Sequence, residues 1–365
     1  MGRAGRAVDN AFAILLNGRE DDEIQDYFIR TAFPGPVEMQ QVLDTLAESD
    51  RGLTIPAMLS RLNNSKTRIE KCLKLLEVEG AVARNGGMYF RTANPWVQDR
   101  KRAEKVTSLR YQELERIKEF VATKICLMEF IASDLDDPSA NACGKCANCQ
   151  QPFFTSKTDP ELVSRAIEFL RRDDQIIGPR KQWPAGGIGI WRGRIPPDLQ
   201  NKEGRCLCLY GDAGWGRQVA IDKYQRNHFG DQLVAAAVDL IHVRWNPQPL
   251  PVWVTAVPSL RRPELVPGFA QRVAELLGLP FYPVLVKIRE TPGQKTMQNS
   301  SQQALNVADA FQVKSTCPGG PVLLIDDLVD SRWTLTVCGV LLREAGSGHV
   351  YPFTLANTAG GGDPE

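Results

Sequence analysis

Residues 321–336 read PVLLIDDLVDSRWTLT, and the reading of this stretch decides how the C-terminal half folds. The run Val322 to Ile325 has the texture of a strand buried on both faces. It delivers two adjacent carboxylates, Asp326 and Asp327, and after a short turn a helix begins near Thr334. A strand that ends in paired acids and passes into a helix start sets acceptors for hydroxyl groups beside backbone N–H groups for an anion, the parts that hold a sugar phosphate.

Outward from this stretch the texture stays α/β. VWVTAVP, FYPVLV and YPFTLA read as further strands, separated by the helical segments GFAQRVAELLG and TLTVCGVLLREAG. Strands alternating with helices predict a parallel sheet over 185–365. Upstream, 37–97 reads as helix, helix, basic helix and hairpin, the order of a winged helix. Thr54 caps the second helix with Pro56 in its first turn. The third, NSKTRIEKCLKLLEVEG, turns Ile69, Cys72, Leu73, Leu76 and Val78 inward and leaves Lys66, Arg68, Lys71 and Lys74 outside, with Gly80 as its cap. Asn85-Gly86 predicts the hairpin turn, and Tyr89 and Phe90 alternate sides, so that one is core and the other is a candidate to stack on an unpaired base.

The remaining zones are 1–36, with an apolar strand at AFAILL and a helix whose inner face is Ile24, Tyr27, Phe28 and Ala32; 98–156, a charged helix pair ending in cysteines; and 157–184, a helical linker. The fold class expected is therefore multidomain, α+β and α/β. Charge is unevenly spread: 9–50 carry ten acids and two bases, whereas 61–110 carry twelve Lys and Arg against five acids. That local excess is a nucleic-acid footprint or a solvated helix face. No run of eighteen apolar residues exists, so no membrane span is expected.

Nine cysteines against three histidines mean that any metal site is mostly thiolate. Cys126, Cys143, Cys146 and Cys149 have the spacing C-x16-C-x2-C-x2-C, the first on a helix and the others in CGKCANC. Four converging thiolates suit structural Zn²⁺, with an iron–sulfur cluster as the competitor. Cys72, Cys206, Cys208, Cys317 and Cys338 lack such spacing and read as small buried residues.

GRAGR, the following AFAILLNGREDDEIQDYFIRTAFP and the Cys126–Cys149 spacing resemble the last helicase motif, the end of the second motor domain and the zinc module of RecQ-type DNA helicases. The resemblance implies that Arg3 and Arg6 are arginine fingers on ATP, where a guanidinium fork stabilises charge on the transferring phosphoryl group. It also implies a 3′→5′ ATP-dependent helicase of DNA repair or recombination. Such a protein would act in the cytoplasm at the nucleoid, as a monomer on duplex DNA with a single-stranded tail or on a fork. Two departures matter. In that family the zinc module precedes the winged helix, the reverse of the order here. The sequence also has no Gly-rich phosphate loop and no Asp-Glu-x-His box, so ATP and Mg²⁺ chemistry is expected only in a longer protein.

Residues 205–356 resemble phosphoribosyltransferases of the ComF type, through KYQRNHFGDQL, AVPSLRRPELVPGFAQRVAELLGLP, RETPGQKTMQNSSQQALNVADAF and VLLIDDLVDSRWTL. The likeness implies that Asp326 and Asp327 bind ribose hydroxyls and, indirectly, Mg²⁺, and that 330–334 wrap the 5′-phosphate of phosphoribosyl pyrophosphate. A RecQ-like subgroup carrying both parts on one chain is the best match. The family loop reads Thr-Thr-Gly-Ala-Thr; here it is Asp330-Ser331-Arg332-Trp333-Thr334. Ser331 and Thr334 keep hydroxyls, but Arg332 removes the freedom of glycine. Asp330 repels a phosphate by roughly 3 kcal/mol at about 5 Å and an effective dielectric near 20. Arg332 offsets this if it pairs with Asp330 or with the phosphate. An active transferase, a binding site without catalysis and a structural remnant all remain open. So do two other readings of the whole chain: a nucleotide-metabolism phosphoribosyltransferase whose N-terminal half docks, and a winged-helix regulator with a small-molecule sensor.

Overall fold

The computed structural model describes residues 12–18, 21–97, 100–150 and 157–358. The chain divides into two compact units: Met1–Asp44 with Lys71–Ala83 and Arg91–Thr158, and Thr45–Glu70 with Arg84–Phe90 and Asp159–Glu365. Arg3 and Arg6 lie outside the described residues. The apolar run 12–16 is exposed and forms no strand.

The first elements are α1 (Asp21–Arg30), α2 (Pro36–Ala47), α3 (Ile55–Arg61), α4 (Lys66–Val78), β1 (Val82–Asn85) and β2 (Met88–Arg91). In α1 the expected face is wrong: Ile29 is the buried residue, while Ile24, Tyr27 and Phe28 are exposed. Polar contacts hold α1 to the long helix α5 (Arg100–Ala122), Tyr111 donating to Asp26 at 2.8 Å and Lys118 standing 3.8 Å from Asp22. Thr54 caps α3 as expected, its hydroxyl accepting from Ala57 N–H. Gly80 ends α4 at φ +74°, and Ala81 N–H reaches back to the Leu76 carbonyl. The hairpin turns at Gly86-Gly87 rather than Asn85-Gly86, since Asn85 is the last residue of β1.

After α5, α6 (Leu127–Asp134) begins at a break, with Cys126 as its cap rather than within one continuous helix. Then come α7 (Pro160–Leu170), β3 (Gln175–Ile177), β4 (Gly204–Leu209), α8 (Gly216–Ile221) and α9 (Asp231–Asp239). They are followed by β5 (Trp253–Ala256), α10 (Leu265–Leu277), β6 (Leu285–Lys287), α11 (Ser300–Val307), β7 (Phe311–Val313), β8 (Val322–Val329), α12 (Trp333–Glu344) and β9 (Val350–Asn357). One sheet has the order β3-β4-β9-β8-β5, with β4, β9, β8 and β5 parallel and β3 antiparallel at the edge. Along β8, Val322 and Leu324 enter one core while Leu323 and Ile325 enter the other, which is why the run is apolar without alternation.

The structure moves two expected boundaries. The segment read as a helical linker contributes β3 to the sheet, and FYPVLV meets the sheet only through a bridge of Phe281 to Val254 before its later residues form an antiparallel ribbon, β6 with β7. Residues 45–70 and 84–90, expected within the 37–97 domain, group with the α/β unit. Side-chain amides tie residues 60–64 to residues 296–302. Asn63 donates to the Thr296 carbonyl at 2.9 Å and accepts from Gln298 N–H at 2.8 Å. In return, Asn299 donates to the Leu62 and Asn64 carbonyls, and Gln302 donates to that of Ser60. Among the described residues no helix is long and apolar enough to cross a membrane.

Candidate functional site

Asp326 and Asp327 lie in the C-terminal half of β8, still within its pairing with β9, where Asp326 stands opposite Thr354, and as neighbours on a strand their side chains leave the sheet on opposite faces. Asp327 is paired: Lys223 Nζ lies 2.8 Å from its Oδ2, with both side chains largely shielded from solvent. Asp326 is half-buried and accepts from the Asp327 N–H at 2.8 Å. Burial first, and the Asp327 charge second, push its carboxyl up to about 8. The Lys287 charge acts on Asp326, and its ammonium is pushed down by burial and by Arg261.

Beyond β8 the loop keeps the glycine conformation without the glycine. Arg332 sits at φ +67° and ψ −1°, the left-handed region that side chains rarely enter. Neighbours hold it there. Its carbonyl accepts from both the N–H and the hydroxyl of Thr336 at 2.9 Å, and its guanidinium donates to the Gly178 carbonyl at 3.3 Å. Asp330 accepts from Gln303 at 3.3 Å. Each member of the suspected Asp330–Arg332 pair therefore has a partner other than the other.

Trp333, the next residue, is buried at 1% exposure, and its indole N–H donates to Ser300. The guanidinium of Arg180 lies 4.0 Å over its ring and donates to the Ser331 carbonyl at 2.7 Å. Trp183 stacks on Trp333 at 5.9 Å, and Trp191 on Trp183 at 5.0 Å. Residues 178–195 thus close over residues 331–333. Ser331 and Thr334, predicted for their hydroxyls, are half-buried in this region. Arg180, Trp183 and Lys223 were not foreseen as neighbours of the loop. KYQRNHFGDQL was singled out, but nothing in it marks Lys223 as the partner of an aspartate a hundred residues on.

The four predicted cysteines meet. Their sulfurs all lie within 4.8 Å of one another, Cys146 standing 3.8 Å from Cys126 and 3.5 Å from Cys149. Four thiolates about 2.3 Å from one tetrahedral ion stand roughly 3.8 Å apart, so the set fits a single Zn²⁺. A cluster of several irons would hold them further apart. Backbone N–H groups aim at the sulfurs: Cys143 and Glu129 at Cys126, and Leu127 at Cys146. Such donors favour the thiolate. They pull the Cys126 thiol down, and at Cys146 they outweigh burial and leave it at about 6. Cys149, exposed and hydrogen-bonded to the Cys146 sulfur, is pushed up to about 11. An ion at the centre would reverse that by binding all four as thiolates.

Helix α4 presents Lys66, Lys71 and Lys74 to solvent, while Ile69, Cys72, Leu73 and Leu76 are buried. Arg68 is half-buried, and Val78 is 79% exposed instead of inward. Tyr89, the proposed stacking residue, is buried at 8% exposure. Leu53 and Tyr89 exchange two backbone hydrogen bonds of 2.9 Å, adding a bridge beside the hairpin, and this pairing turns the ring inward. Tyr89 is thus removed from the candidate DNA contacts.

No family model matches the chain, and no curated protein matches it. A solved crystal structure of adenine phosphoribosyltransferase is similar to it at 16% identity, covering 35% of this chain and 71% of that one with a TM-score of 0.25. A likeness at that score carries no argument. What stands is a mixed α/β chain with a largely parallel five-stranded sheet and a four-cysteine centre suited to a metal ion such as zinc.

Proposed function

We propose that this chain is the DNA-engaging part of a RecQ-like helicase. In this reading α2, α3, α4 and the β1–β2 hairpin form a winged helix, the cysteine centre is a structural Zn²⁺ site, and the α/β unit is a phosphoribosyltransferase-like scaffold. The observation that carries it is the surface of α4, where the exposed Lys71 and Lys74 stand opposite four fully buried apolar residues and Lys66 is exposed in the first turn beside Glu70. That helix follows the short α3 through residues 62–65, the arrangement by which a second helix enters the major groove. Arg3 and Arg6 would act only beside an ATPase motor elsewhere in a longer protein.

The locked loop favours scaffold over transferase. Arg180 engages the Ser331 carbonyl, Trp333 fills the space where the family loop has alanine, and Lys223 pairs with Asp327.

The test is binding of the whole chain to a 3′-tailed duplex at several salt concentrations. Replacing Lys66, Lys71 and Lys74 by alanine should weaken binding at least tenfold. It should also reduce the logarithmic salt slope by about 2.7, or roughly 0.9 for each phosphate that is no longer neutralised. Unchanged affinity and slope in a folded variant would sink the reading.

A further inference from the structure

The segment that closes over the loop has an outer side that the loop does not use. Residues 181–195 form a tight hairpin: Trp183 N–H donates to the Gly193 carbonyl, Ile195 N–H to that of Lys181, and Ile188 and Trp191 exchange two bonds of 2.9 Å. Its turns run through Gly187, Gly189 and Gly193, all at positive φ, and a side chain at Gly187 would collide with the stem of Arg192 and the Trp191 carbonyl. Trp183 and Ile195 are buried and anchor the base, and the stacked indoles stiffen it. The tip, Ile190, is 89% exposed.

The charge is one-sided. Residues 178–195 contain four bases and no acid. Arg180 is spent on Ser331, while Lys181, Arg192 and Arg194 are exposed and form no ion pair among the described residues. Two acids from other elements flank the tip: Glu344 accepts from the Trp191 indole at 3.4 Å, and Asp309 lies beside Gly189. The arms therefore attract phosphate, whereas the tip repels it and offers an apolar side chain beside a hydrogen-bond acceptor. A polyanion with uncharged planar groups between its charges matches that order. Duplex DNA turns those groups inward; an unpaired strand exposes them.

We propose that this hairpin is a second nucleic-acid contact that takes an unpaired strand, with phosphates on Lys181, Arg192 and Arg194 and a base face on Ile190. It rests on the DNA-binding reading above and extends it to a surface outside the winged-helix run. The hairpin stands beside that run: a side chain at Gly186 would meet Ser60 of α3, and residues 62–65 lead from α3 to Lys66.

The test uses the whole chain, a labelled single-stranded oligonucleotide and the same sequence as blunt duplex. Arg192→Glu with Arg194→Glu should lower single-strand affinity at least tenfold. Arg192→Ala with Arg194→Ala should reduce the salt slope by about 1.4, roughly 0.7 for each of the two phosphates. Ile190→Ser should weaken the single strand severalfold and leave the duplex within twofold. Near-ultraviolet circular dichroism of the tryptophans confirms that each variant is folded, and Arg192→Lys with Arg194→Lys should retain most of the binding. If wild type binds DNA but the charge-reversed hairpin binds the single strand equally well, the hairpin proposal fails and the winged-helix reading survives. If wild type binds neither DNA, both fail.

Discussion

Arg180 lies over the indole of Trp333, its guanidinium carbon 4.0 Å from the ring centroid, and its Nε–H donates to the Ser331 carbonyl at 2.7 Å. One side chain thus fixes the ring that begins α12 and the backbone that precedes it. A cation over a shielded ring contributes about 1–2 kcal/mol, and the hydrogen bond about 1 kcal/mol. Arg180→Ala should cost about 2 kcal/mol in urea unfolding, with little change in far-ultraviolet circular dichroism of the native state. A loss under about 0.5 kcal/mol would show that the segment is held by the tryptophans alone.

The same contacts predict that phosphoribosyl pyrophosphate does not bind. Titration calorimetry at millimolar ligand with Mg²⁺ should show no saturable heat. A saturable signal that Asp327→Ala abolishes would restore the transferase reading.

Asp326 predicts a pH dependence. Its carboxyl is pushed up to about 8 by burial and by Asp327, far above the value near 4 of an unfolded aspartate. The folded chain therefore binds this proton more tightly than the unfolded chain does. The stability it contributes is full below about pH 4 and is lost as pH rises toward 8. Asp326→Asn should have a flatter profile and a higher urea midpoint than wild type at pH 8, with the advantage shrinking toward pH 5. Parallel profiles would mean that the Asp326 carboxyl is not raised in the folded chain.

The cysteine centre predicts one zinc per chain by atomic absorption, and loss of that zinc on Cys143→Ser or Cys146→Ser. With the Cys149 thiol pushed up to about 11 in the absence of metal, binding must release protons, so affinity rises with pH across neutrality. Affinity that is flat between pH 6 and 8 would contradict this.

Asn63 predicts a local effect. Asn63→Ala removes both bonds to the 296–298 backbone, costing about 1–2 kcal/mol. Hydrogen exchange at Gln298 and along α11 should speed up, while the β8 amides keep their protection. Uniform loss of protection would mean that the contact holds the whole unit together.

What the sequence disclosed follows from how local each signal is. The buried face of α4 was legible because Ile69, Cys72, Leu73 and Leu76 repeat at helical spacing; Val78, nine residues after Ile69, lies about half a turn round the helix from that face, and its exposure follows from the geometry. The cysteines were legible because three of them stand within seven residues, and β8 because a run buried on both faces needs no alternation. Tyr89 and Phe90 were not separable, since alternation says that one ring is inside but not which; the pairing with Leu53 decides it. Strand β4, RCLCL with flanking charge, carries its cysteines where aliphatic residues usually mark a central strand, and went unread. Arg180 is the plainest limit. It stands 151 residues from the carbonyl that it engages, and no periodicity joins the two.

Three of the seven tryptophans form a single column, with ring planes 6° and 14° from parallel and centroids 5.0 and 5.9 Å apart. Chromophores that close and that parallel share their excited states. The column therefore acts as a built-in optical gauge of the contact between the hairpin and α12. Its exciton-split dichroism reports whether residues 183, 191 and 333 remain stacked, and it does so without a label, a ligand or a change in the sequence.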